Sequence, residues 1–371
     1  MRSAGRRRHP GRSTGKLVYH GGPVLHANRT HLVLWQPAAS GLSFDPGYAA
    51  LSEKFMGDVA AASHHASNLF GLSGQYTDYT HQPAAYASRY GGTVLDTDRL
   101  PANGCVEPPV AGPGWTVCLT DQQLQAELEH VVRSHRLPTG RDDVYFLLTP
   151  RGFGSCLGTT PTSGCALGGK VNGYCGYHSV TSDGLLHYAV IPFNAVPGHC
   201  QSSNPRPNHS TADPALSTIS HELSEIITDP NGDAWSANSG KENGDLCDTA
   251  YGRRLGGSGA GVYDEVIHGG HYYLQEEWSN AGGDCAPRAR PDRASFSVRR
   301  RLARTHTVRL QAAASDPQGR IVSYRWSFGD GTTGSGRAVS HRYARGGSYT
   351  VRLRVTDSWR NWRFYTLTVR A

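Results

Sequence analysis

The chain has 371 residues, 37% hydrophobic and 18% charged, with a formal net charge of +7. That length suggests two domains with room for their cores, and no run of 18 apolar residues is present to span a membrane as a helix. The charge is uneven. Residues 287–371 hold 18 Arg, no Lys and 4 Asp, a balance of 18 − 4 = +14, so the rest of the chain carries 7 − 14 = −7. An acidic body thus bears a basic tail, which suits an anionic polymer or simple solubility; no nucleic-acid partner is expected.

The cysteines are Cys105, Cys118, Cys156, Cys165, Cys175, Cys200, Cys247 and Cys285. Their number is even and no Cys-x-x-Cys pair occurs, so disulfides made in an oxidising compartment are expected. Cys105–Cys118 and Cys247–Cys285 are the favoured pairs, with Cys175–Cys200 next. This points to an extracellular or cell-surface protein. A signal peptide is not visible, because Met1–Gly15 is Arg-rich and no apolar stretch follows it. Residues 1–16 read as a disordered basic tail.

In chain order, His31–Trp35 predicts a strand and Tyr48–Leu69 a helix. Gln75–Tyr79 and Gly92–Asp96 predict short strands. Asp121–Arg136 predicts a helix capped by Thr120. Val144–Leu148 predicts a buried strand, Cys156–Cys175 a Gly- and Cys-rich loop, and His187–Phe193 a further strand. Alternating strands and helices predict an α/β or α+β body. Asp213 is placed to cap a further helix, with Pro214 at its first position and Asp229-Pro230 as its stop. Residues 287–293 read as a linker around Arg288–Arg293.

Beyond the linker the pattern has a period of two. Tyr349, Val351, Leu353 and Val355 share one face, while Thr350, Arg352, Arg354 and Thr356 share the other. Val322, Tyr324, Trp326 and Phe328 repeat the alternation, as do Tyr365, Leu367 and Val369, and Asp330-Gly331 supplies a turn. Ser315-Asp316-Pro317, the run Tyr324–Gly331, His341-Arg342-Tyr343 and the run from Gly347 to Asp357 resemble the PKD (polycystic kidney disease) domain family. That resemblance implies an all-β, immunoglobulin-like sandwich of seven strands over residues 294–371, a spacer or binding module without catalysis.

The segment with the most chemistry is His221-Glu222-Leu223-Ser224-Glu225. With His221 set at 0° on a helix, Glu225 falls at roughly 40°, Asp229 at roughly 80° and Glu222 at roughly 100°. Leu216, Ile219, Leu223, Ile226 and Ile227 fall between roughly 140° and 240°. One face is therefore apolar and the other gathers an imidazole and three carboxylates. Zinc peptidases use His-Glu-x-x-His because residues four apart grip one ion while the Glu activates water. Here Glu225 replaces the second His, and carboxylate oxygen also binds zinc. A third ligand is expected downstream, where Glu242 is the first choice and Asp245 the second. Their distance from Glu225 is similar to that in the thermolysin-like clan, whose third ligand is a Glu of a following helix. His178 is the most plausible additional ligand among the other histidines, with His268 and His271 read as ordinary. The plainer reading of the motif is an acidic helix face turned to solvent. Calcium is a further option, because Asp229-Pro230-Asn231-Gly232-Asp233 is an oxygen-rich turn.

The run Leu17–Val24, the Cys175-Gly176-Tyr177-His178 element, the segment Ser220–Pro230, Asp233-Ala234-Trp235 and Glu242 through Cys247 resemble the EXORDIUM / phosphate-induced protein 1 family over residues 17–286. The resemblance implies a secreted protein linked to growth and cell-wall responses, and it leaves the reaction open. The expected fold is a zincin-like α/β (α+β) body followed by the sandwich. The expected function is a secreted metal-dependent hydrolase, a zinc peptidase, in which His221, Glu225 and Glu242 or Asp245 hold zinc and Glu222 acts as general base. Its partners would be extracellular peptide or cell-wall polymer, with anionic glycan held by the basic tail. The alternative is a non-catalytic extracellular binding or adhesion protein.

Overall fold

The computed structural model describes residues 16–64, 68–106, 114–166, 173–196, 200–201, 205–288, 293–316, 320–357 and 362–371. The predicted basic segment before Lys16 and most of the predicted linker, residues 289–292, lie outside them. The chain divides into two compact units, residues 1–64 with 76–287, and residues 65–75 with 288–371.

The first unit is built on a five-stranded sheet. Its strands lie in the order Ser88–Asp96, Asn28–Trp35, Asp143–Leu148, His187–Ile191 and Tyr177–Val180. The first four run parallel, and Tyr177–Val180 is an antiparallel edge strand. The central strands are apolar and buried along their length, the pattern of a sheet covered on both faces. One face, with Val33, Trp35, Tyr145, Leu147, Tyr188 and Val190, packs on Leu124, Leu128, Val131 and Val132 of helix α2, Asp121–Ser134. Thr120 caps α2 in a full capping box with Gln123, as its position predicts. Helices α1, Tyr48–Ala61, and α3, Asp213–Thr228, also pack on the sheet.

Several local expectations change. Helix α1 stops at Ala61 rather than Leu69, and Leu69–Gln75 is a 3-10 turn. Gln75–Tyr79 forms no strand of its own; Thr77 makes a single bridge to Pro83. The Cys-rich loop contributes short strands, Phe153–Cys156, Cys165–Ala166 and Gly173–Tyr174, which join Val117–Thr120 in a second sheet. Asp213 is the first residue of α3 rather than its cap; its carboxylate accepts from the backbone N–H groups of Asn208 and Ser210 before the helix. All eight cysteines are bridged, as Cys105–Cys118, Cys156–Cys165, Cys175–Cys200 and Cys247–Cys285. Three of these are the expected pairs. The fourth arises because Cys156 and Cys165 face each other on neighbouring strands.

The tail of the second unit is a two-sheet sandwich. One sheet holds Arg293–Leu302, Thr307–Ser315 and Ala338–Arg342; the other holds Thr333–Ser335, Ile321–Ser327, Ser348–Asp357 and Trp362–Arg370. Trp326, 2% exposed, sits among Phe296, Leu310, Phe328, Tyr343, Leu353 and Val369, and its indole donates to the Gly336 carbonyl at 2.8 Å. Val322 departs from the predicted alternation and is exposed, because the register with Ser348–Asp357 slips between Ile321 and Ser323. Arg352 stacks over Phe364 at 3.5 Å and Arg354 over the exposed Trp362 at 5.1 Å. Arg325 pairs directly with Arg354 across the strands.

Candidate metal centre

Helix α3 is not a surface helix. Leu216, Ile219, Leu223, Ile226 and Ile227 are buried as the apolar face predicts, but Ser220, Glu222, Ser224, Glu225 and Thr228 are buried too. The solvent-facing acidic helix is therefore not what forms. The polar face of α3 meets three other segments, each held near it by a specific device.

The edge strand Tyr177–Val180 supplies His178. Gly176 precedes it and brings the chain close to the helix; a Cβ there would lie 2.5 Å from Thr218 Cγ2 and 2.9 Å from Glu222 Oε1. The Cys175–Cys200 bridge ties the base of this strand. The segment after α3 supplies Glu242 and Asp245. A Cβ at Gly244 would lie 2.6 Å from His221 Nδ1, so only glycine lets this loop pass the imidazole. The Asp245 N–H donates to Glu225 Oε1 at 3.0 Å, and the Cys247–Cys285 bridge anchors the following turn. The third segment brings Gln275 and Glu277. The Gln275 amide sits 3.0 Å from His221 Nδ1 and donates to the Gly244 carbonyl at 2.8 Å, fixing the ring.

Two groups result, sharing Glu225. His221 Nε2 lies 3.2 Å from Glu225 Oε2 and 4.0 Å from Asp245 Oδ1. His178 Nδ1 lies 3.1 Å from Glu222 Oε2 and 3.5 Å from Glu225 Oε2, while its Nε2 lies 3.6 Å from Glu242 Oε2. One donor atom each from His221, Glu225 and Asp245, and likewise from His178, Glu222 and Glu225, falls within 4.8 Å of the others. The structure thus gathers every residue singled out in the sequence motif. Asp245, the second choice, joins His221 and Glu225; Glu242, the first choice, faces His178. His268 and His271 lie elsewhere, His268 in a turn at φ 47° and His271 stacked on Tyr263. In the oxygen-rich turn, Asp229 Oδ1 accepts from the Ala234 N–H and Asn231 Oδ1 lies 3.2 Å from His187 Nε2, while Asp229 Oδ2 is buried without a partner.

Sequence reasoning missed Gln275 and Glu277. No motif marks them; only the fold carries their segment to α3. Glu277 is 1% exposed and neither of its carboxyl oxygens has a hydrogen-bond partner, nor does Oε1 of Glu242. Burial drives the Glu277 carboxyl far above its ordinary value and raises Glu242 to about 9, with His178 opposing the latter shift. Burial also raises Glu222, while His221 and His178 hold Glu225 low despite its burial. Burial opposes charge on His178, yet Glu222, Glu242 and Glu225 lift it to about 10. Fully ionised, five carboxyls would outnumber the two imidazoles; without an ion the raised carboxyls hold protons, and a divalent cation is the charge that would let them ionise.

Residues 288–360 match the PKD domain family. The tail is a PKD domain. The chain is 49% identical over 45 residues to the microbial collagenase of Vibrio alginolyticus, a stretch that is 12% of this chain and 6% of the collagenase. It is 24% identical over 282 residues to protein EXORDIUM-like 5 of Arabidopsis thaliana, covering 68% of each. The crystal structure of the PKD1 domain of Vibrio anguillarum Epp matches with 34% identity over 22% of this chain and 94% of that one, at a TM-score of 0.21. The PKD domain and the four disulfides are consistent with an extracellular protein. Among the described residues no helix is long and apolar enough to cross a membrane.

Proposed function

We propose that the first unit is a secreted metal-dependent hydrolase, a zinc peptidase of zincin-like build, and that the PKD domain holds it at an anionic extracellular polymer. The observation that carries this reading is the cluster in which His221, Glu225 and Asp245 approach one another beside Glu222, with oxygens of the neighbouring Glu242 and Glu277 buried without partners. His221, Glu225 and Asp245 would hold the ion, with Glu242 as the alternative third ligand. Zinc, when bound, supplies Lewis acidity toward water and a peptide carbonyl.

The remaining chemistry belongs to the chain. Glu222 takes the proton of the attacking water and returns it to the leaving amine. Its burial raises its proton affinity toward that of a useful base. His178, 3.1 Å from Glu222, keeps that carboxylate in place and carries positive charge toward the oxygen that becomes negative. Tyr177–Val180 is an edge strand, so an extended peptide can pair along it and arrive beside His178. On the PKD domain, the Arg325, Arg352 and Arg354 face with its stacked rings suits carboxylated or sulfated polysaccharide.

The test is a pair of variants. His221→Ala should remove bound zinc and peptide hydrolysis together. Glu222→Gln should keep stoichiometric zinc and lose hydrolysis by about 10²–10⁴-fold. Elemental analysis and cleavage of a mixed peptide library give the two readouts. A wild-type chain that takes up no zinc would replace this reading with that of a non-catalytic extracellular binding protein.

A further inference from the structure

The His221 centre holds a buried carboxyl to which the hydrolase reading gives no role. Glu277 opens the short strand Glu277–Ser279 and is 1% exposed. Both of its carboxyl oxygens are buried without a hydrogen-bond partner. Its segment is pinned to the centre from two sides. The Gln275 N–H donates at 3.0 Å to the hydroxyl of Ser217, which lies one turn before His221 on the same face of α3. The Trp278 N–H donates at 3.0 Å to the carbonyl of Asn243, beside the Gly244 that passes the His221 ring.

The direction of the side chain follows from its place in the segment. Residues two apart on an extended chain share a face. Gln275 puts its amide 3.0 Å from His221 Nδ1, so Glu277 turns to the same side. Glu276, between them, turns away: a Cβ at Gly252 would lie 3.6 Å from its Oε1. The charged groups that act most strongly on Glu277 are His221, Glu225, Glu222 and Asp245, all members of the centre. A carboxyl buried with no donor for either oxygen loses the hydrogen bonds of water and gains none from the protein. An apolar side chain would fill the same space without that loss. A cation beside His221 and Glu225 would give the oxygens the partner they lack.

We propose that Glu277 is a further ligand of the ion held by His221, Glu225 and Asp245, an inference that rests on reading that cluster as a metal centre. The Asp245 side chain, 45% exposed, lies on the solvent side of the group, and Glu277 on its buried side. Imidazole nitrogen and carboxylate oxygen are both donors that zinc accepts. One segment then serves the ion twice: Gln275 holds the ring of a ligand, and Glu277 is itself a ligand.

The experiment compares the full chain with its Glu277→Gln and Glu277→Met variants, using zinc alone and then cobalt(II) alone as probes. Both variants should bind zinc at least about tenfold more weakly, and the rise of the first unit's thermal transition with zinc should shrink accordingly. Without zinc their transitions should be unchanged or higher, because each substitution removes an unpartnered buried carboxyl. That opposite pair of effects separates a lost ligand from a lost fold. The visible spectrum of the cobalt-loaded chain, which follows the ligands on the ion, should change in both variants. Zinc binding in the full chain that is lost in His221→Ala but equally tight in both Glu277 variants would overturn this proposal and leave the metal centre standing. Weaker zinc binding with an unchanged cobalt spectrum would also overturn it, since Glu277 would then act only through its charge. A full chain that takes up neither ion would overturn this proposal together with the hydrolase reading.

Discussion

The PKD domain and helix α3 solve opposite problems with the same residue types. In the strand Ser348–Asp357, Val351, Leu353 and Val355 are buried while Thr350 and Arg352 are exposed, so polarity and burial coincide. In α3 they part company. Glu222 and Glu225 are as buried as Leu223, because the polar face meets His178, Glu242 and Gln275 rather than water. An amphipathic pattern says which face is apolar. It does not say that the other face is wet, and a buried polar face is where chemistry is found.

The contrast is open to test, beginning with the largest effect. A fragment of residues 288–371 should unfold cooperatively without any disulfide, and Trp326→Ala should lower its stability by about 3–5 kcal/mol in urea unfolding. A fragment with no cooperative transition would mean that the apolar face alone does not sustain the sandwich. The first unit leans on covalent staples instead. Replacing both Cys247 and Cys285 by Ser opens a bridge of sequence separation 38, and should cost that unit about 4 kcal/mol on the chain-entropy account. The PKD transition should stay where it was; equal losses in both would erase the distinction.

Smaller effects sharpen it. Gln275→Ala should weaken zinc binding by about 10–100-fold, as expected for a residue that orients a ligand, while leaving the global fold intact by circular dichroism. Unchanged affinity would reduce Gln275 to a packing residue. The arginines of the PKD domain should show the reverse behaviour, strong dependence on solvent and little on structure. Retention of the PKD domain on an anionic polysaccharide should fall steeply as salt approaches about 1 M, where the screening length is about 3 Å, and Arg352→Ala with Arg354→Ala should weaken it without lowering the melting temperature. Equal retention on a neutral polymer would remove the charge-based account.

Much of the tail was legible because antiparallel strands with one wet face write their burial into alternate residues. Trp326, Val351 and Leu353 could be placed in the core from spacing alone. Val322 could not, since a slip in register between strands leaves no mark in the strand's own composition. In the first unit the capping box at Thr120 and the stop of α3 were readable, being local chemistry. The end of α1 at Ala61 was not, because the helical pattern continues in sequence while Ala62–His64 form a turn and Leu69–Gln75 a 3-10 helix.

By itself the sequence determined the elements whose causes are local: caps, turns, alternation, the even set of cysteines and the His221–Glu225 pair one helical turn apart. The tertiary structure decided what those elements face. It chose Asp245 over Glu242 as the neighbour of His221, brought His178 to Glu222 across 44 residues of sequence, and added Gln275 and Glu277 from a segment with no motif. The reason is physical. A side chain's spacing along its own helix or strand is set by backbone geometry, but its partners across a pocket are set by how sheet, helix and disulfides pack, and glycines such as Gly176 and Gly244 matter only once that packing brings another residue within reach.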